Sequence, residues 1–287
     1  MIALLTLTLP AVLSLAAHPA WASNIDPKCE EAAAAAQADP PDDQDQQNYL
    51  LNYFSLSTSF SPLHGVLPNE PGHGALSFEA SIIPALSCEH RLVFQGTKTE
   101  DTNKAPLLPR PRLTFTLPKI GPIALYGGLG YVPPVTVFGT RNVIVSGEAG
   151  IGLPLKSGLG FGARYHFTLL KTVADVATAF DPDDDPVLDF YSGSTFGVDA
   201  MVGYQAHIGS GEHPLQLDPY LALGLADVST LFWIGDDGVI GNNTAPYTGF
   251  AGSLGAQLQW KRVQGAAELY LAPGYVTTGR FRIGVAI

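Results

Sequence analysis

Leu159-Gly160-Phe161-Gly162-Ala163-Arg164-Tyr165-His166-Phe167-Thr168 alternates without a break. Apolar side chains fill the odd positions, and Gly, Arg, His and Thr fill the even ones. Period two belongs to a β-strand, whose successive side chains point to opposite faces. The pattern recurs on both sides of this stretch. Leu76, Phe78, Ala80 and Ile82 alternate with Ser77, Glu79 and Ser81. Leu254, Ala256, Leu258 and Trp260 alternate with Ser253, Gly255, Gln257 and Gln259. Twelve such segments are read along the chain: 49–60, 74–83, 87–95, 110–118, 122–132, 141–153, 158–170, 190–206, 216–231, 249–260, 263–272 and 278–287.

Which face meets water follows from composition. Charged residues make up only 14% of the 287, against roughly 25% in soluble domains. The polar face is small and Gly-rich, unlike the Lys/Glu exterior of a soluble barrel or sandwich, the alternative that also alternates. The apolar face is therefore expected outward. Past the first segment no apolar run approaches the ~20 residues of a membrane helix. A membrane-spanning chain without such helices must be a closed barrel. The net charge of −11 argues against nucleic acid, which requires a basic face.

The connections support the same reading. Short ones at 84–86, 119–121, 154–157 and 261–262 alternate with long ones at 61–73, 96–109, 133–140, 171–189 and 232–248. The segments 207–215 and 273–277 fit that alternation less well. Short turns at one end and long loops at the other characterise transmembrane barrels. Tyr131, Phe190, Tyr191, Tyr220, Trp233, Trp260 and Tyr275 stand near segment ends, as interfacial girdles would. The fold class read here is all-β: an antiparallel transmembrane β-barrel of about 12 strands with a short N-terminal periplasmic helix and linker.

Residues 1–22 read as a secretory signal: Ile2 to Ala17 is mostly apolar, and Ala20-Trp21-Ala22 precedes Ser23 as an A-x-A site. The n-region lacks Lys and Arg, and an uncleaved anchor helix is the alternative. Residues 23–48 form an acidic leader, with Asp26-Pro27 as a helix start and Asp39-Pro40-Pro41 as its stop. We read the leader as periplasmic; its polarity counts against the alternative of a plug inside the barrel. Residues 49–287 form the barrel.

Over 49–287 the chain resembles a Gram-negative outer-membrane β-barrel protein of the porin-like class. Phe281, Ile283, Val285 and Ile287 supply the alternating last strand of that class, with Ile287 where an aromatic usually stands. The resemblance implies outer-membrane lipids and lipopolysaccharide as surroundings and the barrel-assembly machinery as a partner. Oligomeric state is not readable.

Cys29, in the leader, and Cys88, by the turn at 84–86, are the only cysteines. Both are expected on the periplasmic side, where an oxidising medium favours a disulfide; two unpaired thiols are the alternative. The charged strand residues point inward: Arg91, Arg110, Arg112, Arg164, Arg280 and Arg282 against Glu79, Glu89, Glu148, Asp199, Asp218 and Glu268. They form either a structural salt-bridge lattice, since unpaired buried charge is costly, or an eyelet that selects solutes. The Gly-rich stretches 127–130 and 158–162, with Gly284, would widen the lumen or permit curvature.

Asp181, Asp183 and Asp185 offer hard oxygen ligands for Ca²⁺, but Pro186 and Ser192 replace the Gly and Glu of an EF-hand, and a solvated loop is the simpler reading. No cofactor motif is present. His166 and Ser194 would be the pair of a lipid hydrolase, without a supporting motif; the chain is read as not an enzyme. The expected function is a passive or weakly selective pore, or an uptake protein for small or apolar solutes. The alternative is a non-conducting structural or interaction barrel with a salt-bridged lumen. A fatty-acid transporter would need an apolar path and an N-terminal plug.

Overall fold

The computed structural model describes residues 25–93, 95–99, 106–137, 140–174, 189–210, 214–234 and 239–287. The signal segment, Asp181, Asp183 and Asp185 lie outside them, as do Asp236 and Asp237. Ten long strands form the wall. They are β1 (Gly74–Ile82), β2 (Leu107–Thr116), β3 (Ala124–Val137), β4 (Thr140–Pro154) and β5 (Leu159–Ala174). The others are β6 (Asp189–Tyr204), β7 (Leu215–Ile234), β8 (Thr248–Trp260), β9 (Val263–Ala272) and β10 (Val276–Ala286). Each pairs antiparallel with its neighbour in sequence. The ring closes where β10 pairs with β1, Ser77 opposite Gly284 and Glu79 opposite Arg282.

The expected fold class, a closed all-β antiparallel barrel with an N-terminal helix and linker, is the observed one. Among the described residues the ring has ten strands, and Ala206–Ile208 and Val239–Asn242 extend β7 to bring the sheet to twelve. Two of the twelve segments read from the sequence are not wall. Segment 49–60 falls largely within the helix α2 (Asp43–Ser57). Segment 87–95 holds the short helix α3 (Cys88–Arg91) and one side of a small hairpin, Leu92–Val93 with Lys98–Thr99.

The wall is inverted relative to a soluble protein. Leu254 and Ile283 are 60% and 65% exposed on its outer face, whereas Arg110 and Arg280 are 0% exposed on its inner face. Lipid is the solvent that makes this arrangement stable: strand hydrogen bonds are satisfied around the ring, leaving no edge, and the apolar face needs no water. Tyr131 and Trp260 are exposed on the outer face; Tyr191 and Tyr220, expected beside them, point inward and are buried.

At one end of the barrel lie Gly74, Ile287, the connections 117–123, 155–158 and 261–262, and residues 205–210 with Pro214. Gly74 and Ile287 exchange backbone hydrogen bonds there, 3.1 and 2.8 Å long. At the other end lie 83–93, 95–99, the strand ends Val137, Thr140, Ala174 and Asp189, residues 239–247 and the turn 273–275. The turn at 84–86, expected among the short turns, belongs to this second end, because the chain does not cross the wall between 87 and 95. The leader is here too. It consists of a 3₁₀ turn, Pro27–Cys29, followed by α1 (Glu30–Ala38) and the start of α2. From this end the chain runs once down the lumen, through α2 and an extended segment, to reach Gly74 at the other.

Candidate functional site

The lumen is filled by the chain's own N-terminal segment. Leu51, Asn52, Tyr53, Ser55, Leu56, Ser57, Ser59, Phe60, Leu63 and His64 are all at most 3% exposed. The plug weighed in the sequence was the acidic leader, 23–48, whose helix α1 packs instead against α3; the lumen is occupied by residues read there as a first strand, 49–60, and a long loop, 61–73.

A helix that ends inside a barrel leaves its last carbonyls without intrahelical partners. α2 has no basic residue in its last turn; the wall supplies the cations instead. Arg280 donates from Nη1 to Ser59 O at 2.7 Å and from Nη2 to Leu56 O and Ser57 O at 3.2 and 3.3 Å. Arg110 donates to Thr58 O at 3.2 Å, Arg164 to Phe60 O at 3.0 Å and Arg112 to Ser61 O at 2.9 Å. Six consecutive carbonyls, Leu56 to Ser61, thus accept from four wall arginines. The helix C-terminus is the negative end of the macrodipole, so the cations are on the favourable side.

The acids hold the arginines in place. Glu79 pairs with Arg110 and, at 3.1 Å, with Arg112. Glu148 pairs with Arg112 at 2.7 Å and Arg164 at 2.9 Å, and Asp199 takes Arg164 at 2.6 Å. Phe60 of the plug sits with the Arg110 and Arg112 guanidinium carbons 4.7 and 4.0 Å from its ring centroid, a cation–π contact. Glu268 accepts from the backbone N–H of Leu63 at 3.0 Å and from Tyr220 Oη at 2.7 Å. Arg282 is the exception: buried opposite Glu79, it has no hydrogen-bond partner among the described residues on any guanidinium nitrogen.

Wall glycines mark where the plug presses. A Cβ on Gly130 would lie 3.0 Å from the Phe60 ring, and one on Gly152 would lie 2.5 Å from Leu67. Gly160, Gly162 and Gly203 all face Val66, and Gly193 faces Ser55. Of the glycines expected to widen the lumen or permit curvature, Gly130, Gly160 and Gly162 face plug side chains, while Gly128 faces Glu148 and Gly284 faces Ser77 of the wall.

The outer end of α2 is stitched to the loop before β8. Asn52 Oδ1 accepts from Tyr247 N–H at 2.9 Å and Asn243 Nδ2 at 2.7 Å, while its Nδ2 donates to Ala245 O at 3.0 Å. Asn48 Oδ1 accepts from Thr244 N–H at 2.9 Å. Asn243 and Thr244 therefore clamp the helix to the loop. Tyr49 stacks between His90 and Tyr275, with centroids 3.7 and 5.2 Å away, and burial pushes the His90 imidazole below its usual pKa.

Cys29 and Cys88 form a disulfide across 59 residues. It ties the leader to the 83–106 connection at the long-loop end, not to a short-turn end as expected. Two residues assigned to the lumen lie outside it for the same reason. Glu89 is exposed on α3, and Arg91 reaches Asp26 Oδ2 at 3.0 Å. The Lys28 N–H, then Arg91, hold the Asp26 carboxyl below its ordinary pKa. The other ten assigned charges are buried within the barrel.

The hydrolase pair is not assembled. His166 is 3% exposed inside, 3.6 Å from Asp199 Oδ2, while Ser194 faces outward and bonds Ser229 O at 3.2 Å. Among the described residues no three His, Cys, Asp or Glu side chains are grouped to hold a metal. Sequence reasoning missed the plug residues themselves. The available signal was Asp42 as N-cap with Asp43 and Asp45 in the first turn, a helix start; Asp42 does accept from Gln44 N–H at 2.8 Å.

No protein-family model and no curated protein matches the chain. Among solved structures it is similar to a protein described under asymmetric conductivity of engineered proteins, at 8% identity and a TM-score of 0.21. A Rh. blastica porin variant follows at 6% identity and 0.20. Each alignment covers 75% of this chain and 99% of the other. So weak an overlap transfers neither function nor residue roles.

Proposed function

We propose that this protein is an outer-membrane transport barrel held closed by its own N-terminal segment, a gated route for small solutes rather than a standing pore. The observation that carries the reading is the row of six plug carbonyls accepting from wall arginines. Those bonds are hydrogen bonds to backbone, individually worth about 1–3 kcal/mol, and the plug has no covalent bond to the wall inside the lumen. Residues 1–22 would direct export, and lipids, lipopolysaccharide and the barrel-assembly machinery would be the partners of the mature chain.

Planar-bilayer conductance tests it. The full refolded chain is expected to be nearly silent. A chain lacking residues 23–69 is expected to conduct steadily. The intact chain should open intermittently in moderate urea, a route that does not depend on the deletion folding. Silence in both, with the barrel still folded by gel mobility, would favour the second reading, a non-conducting structural barrel. That reading draws on the near-complete pairing of Glu79, Glu148 and Asp199 with arginines.

A further inference from the structure

Below the arginine layer the plug bends across the end of the barrel that carries Gly74 and Ile287. Between that bend and the wall lies a cavity of about 250 Å³. One side is backbone: Gly158 and Gly160 at the start of β5 and Gly203 near the end of β6. The other is polar, with Asp218 and Gln216 on β7 and Gln257 on β8. Gly65 of the plug lets the chain approach closely, since a Cβ there would lie 3.1 Å from Asp218 Cβ.

Asp218 is 8% exposed, and its two oxygens are used unequally. Oδ2 accepts from Gln216 Nε2 at 2.8 Å. Oδ1 is buried and has no hydrogen-bond partner among the described residues. A carboxylate oxygen in that position is unfavourable unless a donor reaches it. Gln257, another amide lining the cavity, is already committed: its Oε1 accepts from Gly65 N–H and its Nε2 donates to Pro68 O, both at 3.1 Å. The open side of the Asp218 carboxyl is the cavity that it lines. Lys119, a cation, and His207, which offers a ring N–H donor, line the same space.

We propose that this cavity binds a small solute through a protonated amine that donates to Asp218 Oδ1. A zwitterion of amino-acid type is bound more tightly than a simple amine, because Lys119 and His207 receive its carboxylate. The volume accommodates a solute of several non-hydrogen atoms. The site is complete in the closed barrel, so this inference does not rest on gating: binding requires no conduction, and a silent barrel can still bind.

The test is calorimetric titration of the full chain, refolded in detergent, with glycine, ethylammonium chloride and sodium acetate. Glycine and ethylammonium are expected to bind, glycine more tightly, and acetate not to bind. Asp218→Asn, with gel mobility unchanged, should weaken both at least tenfold. Lys119→Ala, on an exposed turn, should weaken glycine alone. Should Asp218→Asn not fold, transferred nuclear Overhauser effects on the parent protein replace it. Ethylammonium protons should then contact the Val66 methyls that line the cavity. Binding of acetate alone, equal binding by the Asn variant, absence of that contact, or no amine binding up to about 100 mM would each overturn the proposal and leave the cavity to water.

Discussion

At the scale of single residues, the barrel interior is organised around shared carboxylates. Glu148 is held at once by Arg112 at 2.7 Å, Arg164 at 2.9 Å and His64 at 3.4 Å. Removing one member of a buried ion network strands the others, at a cost of about 3–5 kcal/mol. Glu148→Gln is therefore expected to lower the urea midpoint of the folded gel band substantially, and a shift of less than about 1 kcal/mol would show that water screens the network. Gly130 answers to packing instead of charge. The Cβ of Gly130→Ala would stand 2.9 Å from Arg110 Cδ and 3.0 Å from the Phe60 ring. Overpacking of this kind costs about 1–3 kcal/mol, and Phe60→Leu in the same chain should recover part of it. For ten of the twelve assigned charges the inward direction was legible in the alternation. Their partners were not, because period two gives the face of a side chain and says nothing of the backbone that passes in front of it. Glu89 and Arg91 were misplaced because a four-residue helix, Cys88–Arg91, interrupts what looked like a strand.

Among the elements, α2 is the one that sequence patterning concealed. Helices are recognised by an apolar stripe facing a core, but the buried face of α2 mixes Asn48, Asn52, Ser55 and Ser57 with Leu51, Tyr53 and Leu56, the last three packed against wall residues such as Ile144, Leu170 and Val228. With Tyr, Phe, Ser and Thr in the same stretch, β-propensity pointed the wrong way. Its cap is the lever for testing how much the helix contributes. Asp42→Ala removes the acceptor of Gln44 N–H and should cost about 1 kcal/mol, read as faster hydrogen exchange in 43–57 with the wall unchanged. Equal loosening of the wall would mean that the helix and barrel form one cooperative unit. The leader offers a pH test. The Lys28 N–H and Arg91 hold the Asp26 carboxyl below its ordinary 3.8. A carboxyl depressed on folding stabilises above its unfolded value, and that contribution disappears as pH falls through the folded one. A carbon-13 titration of Asp26 should give a midpoint under 3.8, and Arg91→Gln should raise it; a midpoint at or above 3.8 in the parent would mean that these contacts do not form in solution.

For the whole molecule, the closed antiparallel wall was legible because lipid exposure writes itself into every outward residue of every strand. The plug was not, since its buried residues mix polar and apolar types, as the interior does, and form neither a helical stripe nor a strand alternation. Ten strands enclose more than their own side chains fill, between the eight that pack solid and the sixteen that leave a channel, and one pass of chain occupies the difference. Wall and plug are held by different forces. The wall's ladder has no competing water across the bilayer, whereas the plug is held by side-chain bonds that water can replace, each worth about 1–3 kcal/mol. The plug should therefore come free first. Hydrogen exchange in rising urea is expected to show residues 43–69 losing protection at a lower concentration than β5 and β6. Reducing Cys29–Cys88, which closes a 59-residue interval at the outer end, should lower the plug transition alone, by about 2–4 kcal/mol. A single transition for plug and wall, shifted as one by reduction, would mean that the segment is a fixed part of the barrel core and that no mobile gate exists.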